Sequence, residues 1–355
     1  MISLPVLFVR AAPLYVYTYA IYQYCSPNCC AILYEYDFSK RNYRSMLYNN
    51  ILEALGGTPM VRLNRIAPND GADILVKFEA LNVGGSIKTR TAYNMIRAAE
   101  EEGLLNEDSI IVEPTSGNQG IGLALIGAVR GYRTIIIMPD SVSEERRKLV
   151  RHYGAEVHTI HDPGDIGKCI KDCLREAERM AAEDPRVFVP HQFKNRNNPL
   201  AHIKNTAQEI LADVEGPIHG FTSGIGTGGT ITGIGEVLRE RYPDIEIWAV
   251  EPENAAILAG GSIGTHLQMG IGDGLVPYVM NTEIYDDICI VSDDEALEMS
   301  RRLAKEEGLL CGISSGTNVV AALRLAKKLG PGKTVVTVLP DTAERYFSTP
   351  LFDGE

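Results

Sequence analysis

The segment Asn82-Val-Gly-Gly-Ser-Ile-Lys-Thr-Arg90 lies where a predicted strand gives way to a predicted helix. The run Ile74–Glu79 before it is typical of a buried strand, and residues 91–103 after it carry apolar side chains at helical spacing. Lys88 therefore falls near a helix N-terminus, where the helix dipole disfavours a cation. Because the helix dipole does not stabilise a positive charge there, a covalent role is one explanation for a lysine at this position. The commoner alternative is a solvated surface lysine.

The composition indicates a globular protein with no nucleic-acid partner. The chain has 355 residues, 45% of them apolar, which suffices for two domains or one large α/β domain. Its formal net charge of −12 argues against binding to nucleic acid, whose phosphates need a basic surface. Seven cysteines, an odd number, fit a reducing compartment, so we predict a cytoplasmic protein. No Cys/His pairs have the spacing of a zinc site, and we predict no metal.

Residues 1–45 differ from the rest of the chain, since no helical or strand period runs through them. Arg10, Pro5 and Pro13 interrupt their apolar stretch, which is too short to span a bilayer, and no cleavage site follows a basic start. We therefore predict no membrane anchor and no signal peptide. We expect an atypical extension or a misassigned start, with translation beginning at Met46 just ahead of a predicted helix.

From Gly57 onward, strand-like apolar runs alternate with amphipathic helices, which predicts a mostly parallel sheet covered by helices. The predicted strands are Ile74–Glu79, Ser109–Glu113, Thr134–Met138, Glu156–Ile160, Ile218–Thr222, Ile245–Val250 and Thr334–Leu339. The predicted helices are residues 91–103, Gly117–Arg130, Ser143–His152, Asp165–Ala182, Leu200–Asp213, Gly228–Arg241, Asp293–Glu307 and Gly316–Lys328. The Pro- and Asn-rich segment Pro190–Pro199 is the best candidate for a domain boundary.

Three further segments share the design of the Lys88 segment, in which a strand ends in Gly, Ser and Thr and a helix follows. In open α/β sheets these strand ends bind ligands. The segment 114–120, Pro-Thr-Ser-Gly-Asn-Gln-Gly, suits a carboxylate, although the same residues also cap helices. The segment 222–230 has four glycines between Gly224 and Gly229, which suits the close approach of a phosphate. The segment 311–316 contains Ser314, which alone would be interpreted as a helix cap.

Two cofactor classes fit these segments. Gly224, Gly226 and Gly229 match the G-x-G-x-x-G pattern of dinucleotide-binding folds, so an NAD-dependent dehydrogenase stays open, although that pattern normally opens the first βα turn of a domain. Pyridoxal phosphate requires an amine for its aldehyde, a phosphate-binding loop and a partner for its ring nitrogen. Lys88, the glycine-rich segment and Ser314 offer these three groups together.

The order of the motifs resembles that of the cysteine synthase and cystathionine β-synthase family of fold type II pyridoxal-phosphate enzymes. The resemblance extends from about Tyr48 to Phe352. The matching motifs are Gly57-Thr-Pro-Met-Val-Arg-Leu, Gly-Gly-Ser-Ile-Lys88, Glu113-Pro-Thr-Ser-Gly-Asn118, Gln192-Phe193, Gly226-Thr-Gly-Gly-Thr230, Gly312-Ile-Ser-Ser-Gly316 and Pro340-Asp-Thr-Ala-Glu-Arg-Tyr346. The resemblance implies two open, mostly parallel twisted sheets flanked by helices, and a homodimer. It also implies a larger domain of residues 46–83 and 193–355, and a smaller mobile domain of residues 84–192.

The resemblance also implies roles for individual residues. Lys88 would form a Schiff base with the cofactor and, once freed, abstract the Cα proton; Asn118 would bond the phenolic oxygen of the cofactor, and Ser314 its pyridine nitrogen. The phosphate would be held by Gly226, Thr227, Gly228, Gly229 and Thr230. The substrate carboxylate would be surrounded by Thr115, Ser116, Gly117, Asn118, Gln119 and Gln192.

Three positions depart from the commonest family pattern: Thr89 replaces an Asp, Gln119 replaces a Thr, and Asp273 replaces a small apolar residue. Asp273 in the segment 270–277 would be either an exposed loop residue or a general base. As a base it would activate the incoming nucleophile at the aminoacrylate intermediate, including water.

The sequence therefore predicts a β-replacement enzyme that forms L-cysteine from O-acetyl-L-serine and sulfide through an aminoacrylate intermediate. Serine, O-phosphoserine or cysteine as the first substrate, and water, homocysteine or another thiol as the second, stay open. The reason is that the predicted carboxylate and cofactor contacts would be shared by all these substrates. One alternative is the conversion of cysteine to serine and hydrogen sulfide, with Asp273 activating water.

Overall fold

The computed structural model describes residues 47–115, 117–164 and 166–353. The predicted extension, residues 1–45, lies outside the described residues, and so does Ser116. Residues Asn50–Glu355 form one compact unit. No helix within the described residues is long and apolar enough to cross a membrane.

Strands and helices alternate along the described chain. The strands are β1 (Met60–Arg62), β2 (Asp73–Phe78), β3 (Ile110–Pro114), β4 (Arg133–Pro139), β5 (Glu156–Ile160), β6 (Val187–Phe188), β7 (Gly220–Gly224), β8 (Glu246–Pro252), β9 (Asp287–Val291) and β10 (Thr334–Leu339). The helices are α1 (Lys88–Glu101), α2 (Asn118–Arg130), α3 (Glu144–His152), α4 (Ile166–Glu183), α5 (Asn197–Ala201), α6 (Ala207–Asp213), α7 (Gly229–Arg241), α8 (Asp293–Glu307) and α9 (Ile313–Leu329).

The strands form two sheets. The larger has six strands in the order β1-β2-β10-β7-β8-β9, and the smaller has four in the order β5-β4-β3-β6. Every pair is parallel except β1 with β2. The predicted α/β class with two mostly parallel sheets is therefore confirmed. Because β2, β10 and β7 are parallel neighbours, their carboxyl ends lie at one edge, and the segments that follow them meet there.

Three short strands, β1, β6 and β9, are absent from the strands predicted from the sequence. The first two have three and two residues at sheet edges, and β9 alternates buried with exposed residues over five positions. The helix predicted to follow Met46 is wrong, since the chain forms only a 3-10 turn, Ile51–Ala54, before Gly56 and Gly57 adopt positive φ angles.

Helix α1 begins at Lys88, three residues before the predicted start at residue 91. Apolar periodicity does not predict this turn, because its buried contacts are ion pairs between charged side chains. Arg90 is 1% exposed and lies two residues after Lys88. Its guanidinium donates through Nη2 and Nε to both carboxylate oxygens of the fully buried Glu79, at 2.8 and 2.9 Å. Its Nη1 also donates to Oε1 of Glu209 on α6, at 2.6 Å.

The same network takes in a second buried cation, Lys77 on β2, whose Nζ lies 2.9 Å from Oε2 of Glu209. Burial alone would raise the pKa of Glu209, but the hydrogen bonds from Arg90 and Lys77 outweigh it and lower that pKa to about 2. The network joins β2, the first turn of α1 and α6. It therefore fixes the helix end that carries Lys88.

We predict that Arg90→Leu lowers the free energy of unfolding by about 3–5 kcal/mol, because it leaves the carboxylate of Glu79 buried without its main partner. Urea unfolding measures the loss. Arg97→Leu on the same helix is the matched control: the side chain of Arg97 is 40% exposed, and it contacts only Glu101 and Asn94 among the described residues, so removing it costs about 1 kcal/mol or less. Equal losses in the two variants would contradict the prediction.

The network also predicts an acid dependence. A depressed carboxyl pKa contributes stability that is complete above its unfolded value and is lost as the pH falls through its folded value. We expect wild-type protein to lose the contribution of Glu209 between about pH 5 and pH 2. In Glu209→Gln this part of the dependence is absent. Unfolding curves at several pH values compare the two proteins, and identical pH profiles would count against the prediction.

Candidate functional site

A cleft lies at the carboxyl ends of strands from both sheets. It is lined by Lys88 and by residues from the segments that follow β3, β7 and β10. The predicted site residues on its wall are Lys88, Thr115, Gly117, Asn118, Gln119, Gln192, Gly226, Thr227, Gly228, Thr230, Asp273 and Ser314. Gly229 does not line the cleft, and Ser116 lies outside the described residues. The structure thus brings together residues that the sequence separates by more than two hundred positions.

Lys88 is the first residue of α1, and the amide N–H of Ile87 before it donates to the carbonyl oxygen of Pro340 at 2.9 Å. Its Nζ makes no hydrogen bond or ion pair with any described residue. Burial lowers the pKa of Lys88, while the negative charges of Asp273 and Asp341 oppose that shift. A neutral amine is a nucleophile, so the environment of Lys88 suits covalent chemistry. Thr89, which differs from the commonest family pattern, does not line the cleft. Its side chain is fully buried beside Gly84.

The glycine-rich segment forms an open cradle at the N-terminus of α7. The backbone N–H groups of residues 226–230 donate to no acceptor within the described part of the chain, and Gly228 has a φ of 74°. A Cβ on Gly226 would lie 2.4 Å from the carbonyl oxygen of Gly270, and one on Gly229 would lie 2.0 Å from Oδ1 of Asn198. These glycines are therefore required by close packing, and the free N–H groups at the helix end suit an anion.

Two buried asparagines hold the cradle in place. Asn318 accepts from the N–H of Gly224 at 2.7 Å and donates to the carbonyl of Val338 at 2.7 Å, so it ties β7 to β10. Asn198 donates through Nδ2 both to Oγ1 of Thr227, at 2.8 Å, and to the carbonyl of Gln192, at 2.9 Å. The second contact links the cradle to a predicted substrate residue.

The segment before α2 supplies polar groups from the smaller sheet. Nδ2 of Asn118 donates to Oδ2 of Asp341 at 2.6 Å, and its Oδ1 accepts from Nη1 of Arg345 at 2.8 Å. This orients the amide of Asn118 and leaves its second N–H available to a ligand. Gln119 is 1% exposed; its Oε1 accepts from the hydroxyl of Thr91 at 2.7 Å, while its Nε2 has no partner.

Gln192 is oriented from behind by Glu113. Both carboxylate oxygens of Glu113 accept backbone N–H groups, from His191 at 2.9 Å and from Gln192 at 3.0 Å. Burial raises the pKa of Glu113 to about 7, although these two hydrogen bonds oppose the shift. His191 has a φ of 56°, the one positive φ among the described non-glycine residues, so the turn that presents Gln192 is strained.

Asp273 and Ser314 complete the wall. A Cβ on Gly226 would lie 3.7 Å from Oδ2 of Asp273, which places this carboxylate beside the cradle. Burial raises the pKa of Asp273, and the positive charges of Lys88 and His266 oppose that shift. The first turn of α9 carries Ser314, which is 5% exposed and makes no side-chain hydrogen bond with the described residues. Its hydroxyl is therefore free to meet a ligand.

Three charged residues in or beside the site were not predicted from the sequence: Arg146, Asp341 and Arg345. Asp341 is fully buried and accepts from Asn118 and from the hydroxyl of Tyr346, at 2.7 Å. Arg345 donates to the carbonyl oxygens of Gly84 and Gly85 as well as to Asn118. Asp341 and Arg345 lie in the motif Pro340–Tyr346, which supports the family resemblance but has no residue with a predicted role. Arg146 lies in a polar helix, and no sequence pattern indicated a functional role for it.

Comparison with known proteins identifies the family. The family of pyridoxal-phosphate dependent enzymes matches residues 51–341. A cysteine synthase of Staphylococcus aureus is 49% identical over 305 residues, which is 86% of this chain and 97% of that protein.

Two solved structures are similar over most of the chain. The crystal structure of an O-ureido-L-serine synthase is 43% identical and has a TM-score of 0.80, covering 87% of this chain and 96% of that one. That of a hydrogen sulfide-producing enzyme from Fusobacterium nucleatum is 42% identical with a TM-score of 0.80, covering 84% of this chain and all of that one.

The residues of the cleft fit the cofactor of this family. Pyridoxal phosphate presents an anionic phosphate, an aldehyde and a ring nitrogen. The free N–H groups of residues 226–230, the unpaired amine of Lys88 and the unbonded hydroxyl of Ser314 offer one partner for each. Within the described residues, no cluster of His, Cys, Asp and Glu is placed to hold a metal ion. The chain belongs to the pyridoxal-phosphate-dependent enzymes of fold type II, the family of the cysteine synthases, and its cofactor is pyridoxal phosphate.

Proposed function

We propose that this enzyme forms L-cysteine from O-acetyl-L-serine and sulfide by β-replacement. The observation that carries the proposal is the pairing of Lys88 with Ser314 in one cleft, an amine with a lowered pKa and a neutral hydroxyl. A hydroxyl, unlike a carboxylate, does not require a protonated ring nitrogen, and this favours rapid loss of a β-substituent over transamination. The similarity to the cysteine synthase of S. aureus supports the same reaction.

Pyridoxal phosphate supplies the electron sink for this chemistry when bound. The chain would hold its phosphate on the N–H groups of residues 226–230, its phenolic oxygen on the free N–H of Asn118, and its ring nitrogen on Ser314. Lys88 would hold its aldehyde, and after release the neutral amine would take the Cα proton of the substrate. Burial prepares Lys88 for the last step, because desolvation disfavours its protonated form.

The α-carboxylate of the substrate would lie on the segment before α2. Thr115, Gly117, Asn118 and Gln119 line the cleft there, and Gln192 faces them. The uncommitted Nε2 of Gln119 is a buried donor that a substrate oxygen would satisfy. Ser116, which lies between Thr115 and Gly117, is assigned to the same group by the resemblance.

A second reaction is proposed on the basis of Asp273. Its carboxylate lies on the cleft wall beside Gly226 and interacts electrostatically with Lys88, which puts a candidate base next to the reacting groups. With water as the nucleophile, L-cysteine and water would give L-serine and hydrogen sulfide. Support for this proposal comes from the 42% identity to the hydrogen sulfide-producing enzyme of F. nucleatum.

The assembly and location are proposals as well. We propose a cytoplasmic homodimer. We also propose that residues 84–192, which contain the smaller sheet, form the mobile domain that closes on the substrate, with residues 46–83 and 193–355 forming the larger domain. The sheet orders support this division, because every strand of the smaller sheet lies between residues 110 and 188.

The role of Lys88 predicts the colour of the enzyme. We expect wild-type protein to be yellow, and Lys88→Ala to lose both this absorbance and at least about 1000-fold in turnover, because the nucleophile is removed. Borohydride reduction of wild-type protein would attach the cofactor mass to the peptide that contains Lys88. Lys148→Ala, at an exposed lysine, should keep the colour and the activity. Cofactor mass on another lysine would refute the assignment.

The role of Asp273 predicts a selective loss. Asp273→Asn should lower hydrogen sulfide production from cysteine and water by about 100-fold, a typical contribution of a general base, while the use of sulfide with O-acetylserine changes little. The base must be ionised. The wild-type water reaction should therefore rise as the pH increases through the pKa of Asp273, which burial raises above 3.8. Equal rates of both reactions in wild type and variant would rule out this role.

A further inference from the structure

Arg146 is a buried cation on the cleft wall, and it has no part in the proposed binding of the cofactor. It lies in the first turn of α3 and is 2% exposed. Within the described residues, no carboxylate oxygen lies within ion-pair distance of its guanidinium. Burial of an arginine without a counter-ion is costly, so its charge calls for a partner.

The contacts that Arg146 does make are weak ones for a cation. Its Nη1 donates to the thioether sulfur of Met269 at 2.8 Å, and its guanidinium carbon lies 4.7 Å from the centre of the Tyr346 ring. Sulfur is a weak acceptor, and a cation–π contact is weaker than a buried ion pair. Its Nε is buried and has no hydrogen-bond partner. Arg146 therefore keeps a free donor as well as an uncompensated charge.

This free donor points to the segment proposed for the substrate carboxylate. A Cβ built on Gly117 would lie 3.5 Å from Nε of Arg146 and 3.8 Å from its Cζ. No side chain at position 117 stands between the guanidinium and this segment. The polar side chains at Thr115, Asn118 and Gln119 are all neutral. They can orient a carboxylate but cannot balance its charge.

We propose that Arg146 is the counter-ion of the substrate α-carboxylate and selects amino acids whose carboxylate is free. The inference rests on the proposed substrate site and adds the charged residue that this site lacks. The incoming carboxylate would satisfy Nε and neutralise the buried guanidinium. Amino-acid amides and esters, which bring no negative charge, would leave Arg146 unpaired and would bind poorly.

Arg146→Gln tests the proposal, with Arg146→Lys as a second variant that keeps the charge but not the planar guanidinium. Arg151→Gln, an exposed arginine of the same helix, is the matched control. The holoenzymes are titrated with L-alanine, which has no leaving group, and with L-alaninamide. We expect Arg146→Gln to weaken alanine binding about 10- to 100-fold, the range for a hydrogen bond to a charged group, and alaninamide binding less than about threefold. Arg146→Lys should lie between, and Arg151→Gln should match wild type.

The kinetic arm uses O-acetylserine and its carboxamide. KM for O-acetylserine should rise about 10- to 100-fold in Arg146→Gln, with a smaller change in kcat, and the preference for the acid over the amide should disappear. Cofactor absorbance and thermal unfolding identify a variant that has lost its fold, in which case Arg146→Lys decides. Equal weakening of alanine and alaninamide would overturn the proposal.

Two further outcomes distinguish the proposed role of Arg146 from binding of a charged β-substituent and from a failure of the proposed function. An effect confined to O-phosphoserine would assign Arg146 to a charged β-substituent and overturn the proposal. A wild-type enzyme that fails to turn over O-acetylserine would refute the proposed function. The alanine and alaninamide titration would still decide the role of Arg146, because it needs no leaving group.

Discussion

The buried ion network around Arg90 is the interaction on which the active site depends. It holds a helix end without a side-chain cap, and it does so from β2 and α6 together. Lys88 must be desolvated to react as an amine, and desolvation works only if the backbone that carries it cannot move toward solvent. Arg90 is two residues away, and two edges of its guanidinium donate hydrogen bonds to the carboxylates of Glu79 and Glu209. Fixed charges outside the cleft thus hold Lys88 in the buried position that lowers its pKa.

The cleft combines two kinds of constraint. On the larger sheet, backbone shape dominates, because Gly226 and Gly229 pack so closely that no Cβ fits and their N–H groups are left open. On the smaller sheet, hydrogen bonds to buried charged side chains dominate: Asp341 and Arg345 orient the side-chain amide of Asn118, and Glu113 accepts from the backbone N–H of Gln192. One side is suited to an invariant phosphate and the other to a substrate that must enter and leave.

The sequence predicted the fold class and most of the cleft because those features are local. Alternating strand and helix patterns showed where chain segments turn, and segments rich in Gly, Ser and Thr marked Lys88 and the cradle. Ser314 was assigned through the family resemblance, and the segment before it follows helix α8, not the predicted strand. Short edge strands such as β1 and β6 gave too little pattern to detect. Arg146 and Asp341 escaped for another reason: their importance comes from which partners they lack or share across the fold, and spacing along the chain carries no record of that.

The side chain of Asn198 has a thermodynamic consequence. One NH₂ group donates both to Thr227 in the cradle and to the backbone of Gln192 across the cleft. Neither side can shift without straining a bond to the other, so the free energies of filling the two half-sites are not independent. Reciprocity then requires that whatever the cofactor does to the affinity for the amino acid, the amino acid does in equal measure to retention of the cofactor. Asn198 thus gives the cofactor and the amino acid a shared route of thermodynamic coupling.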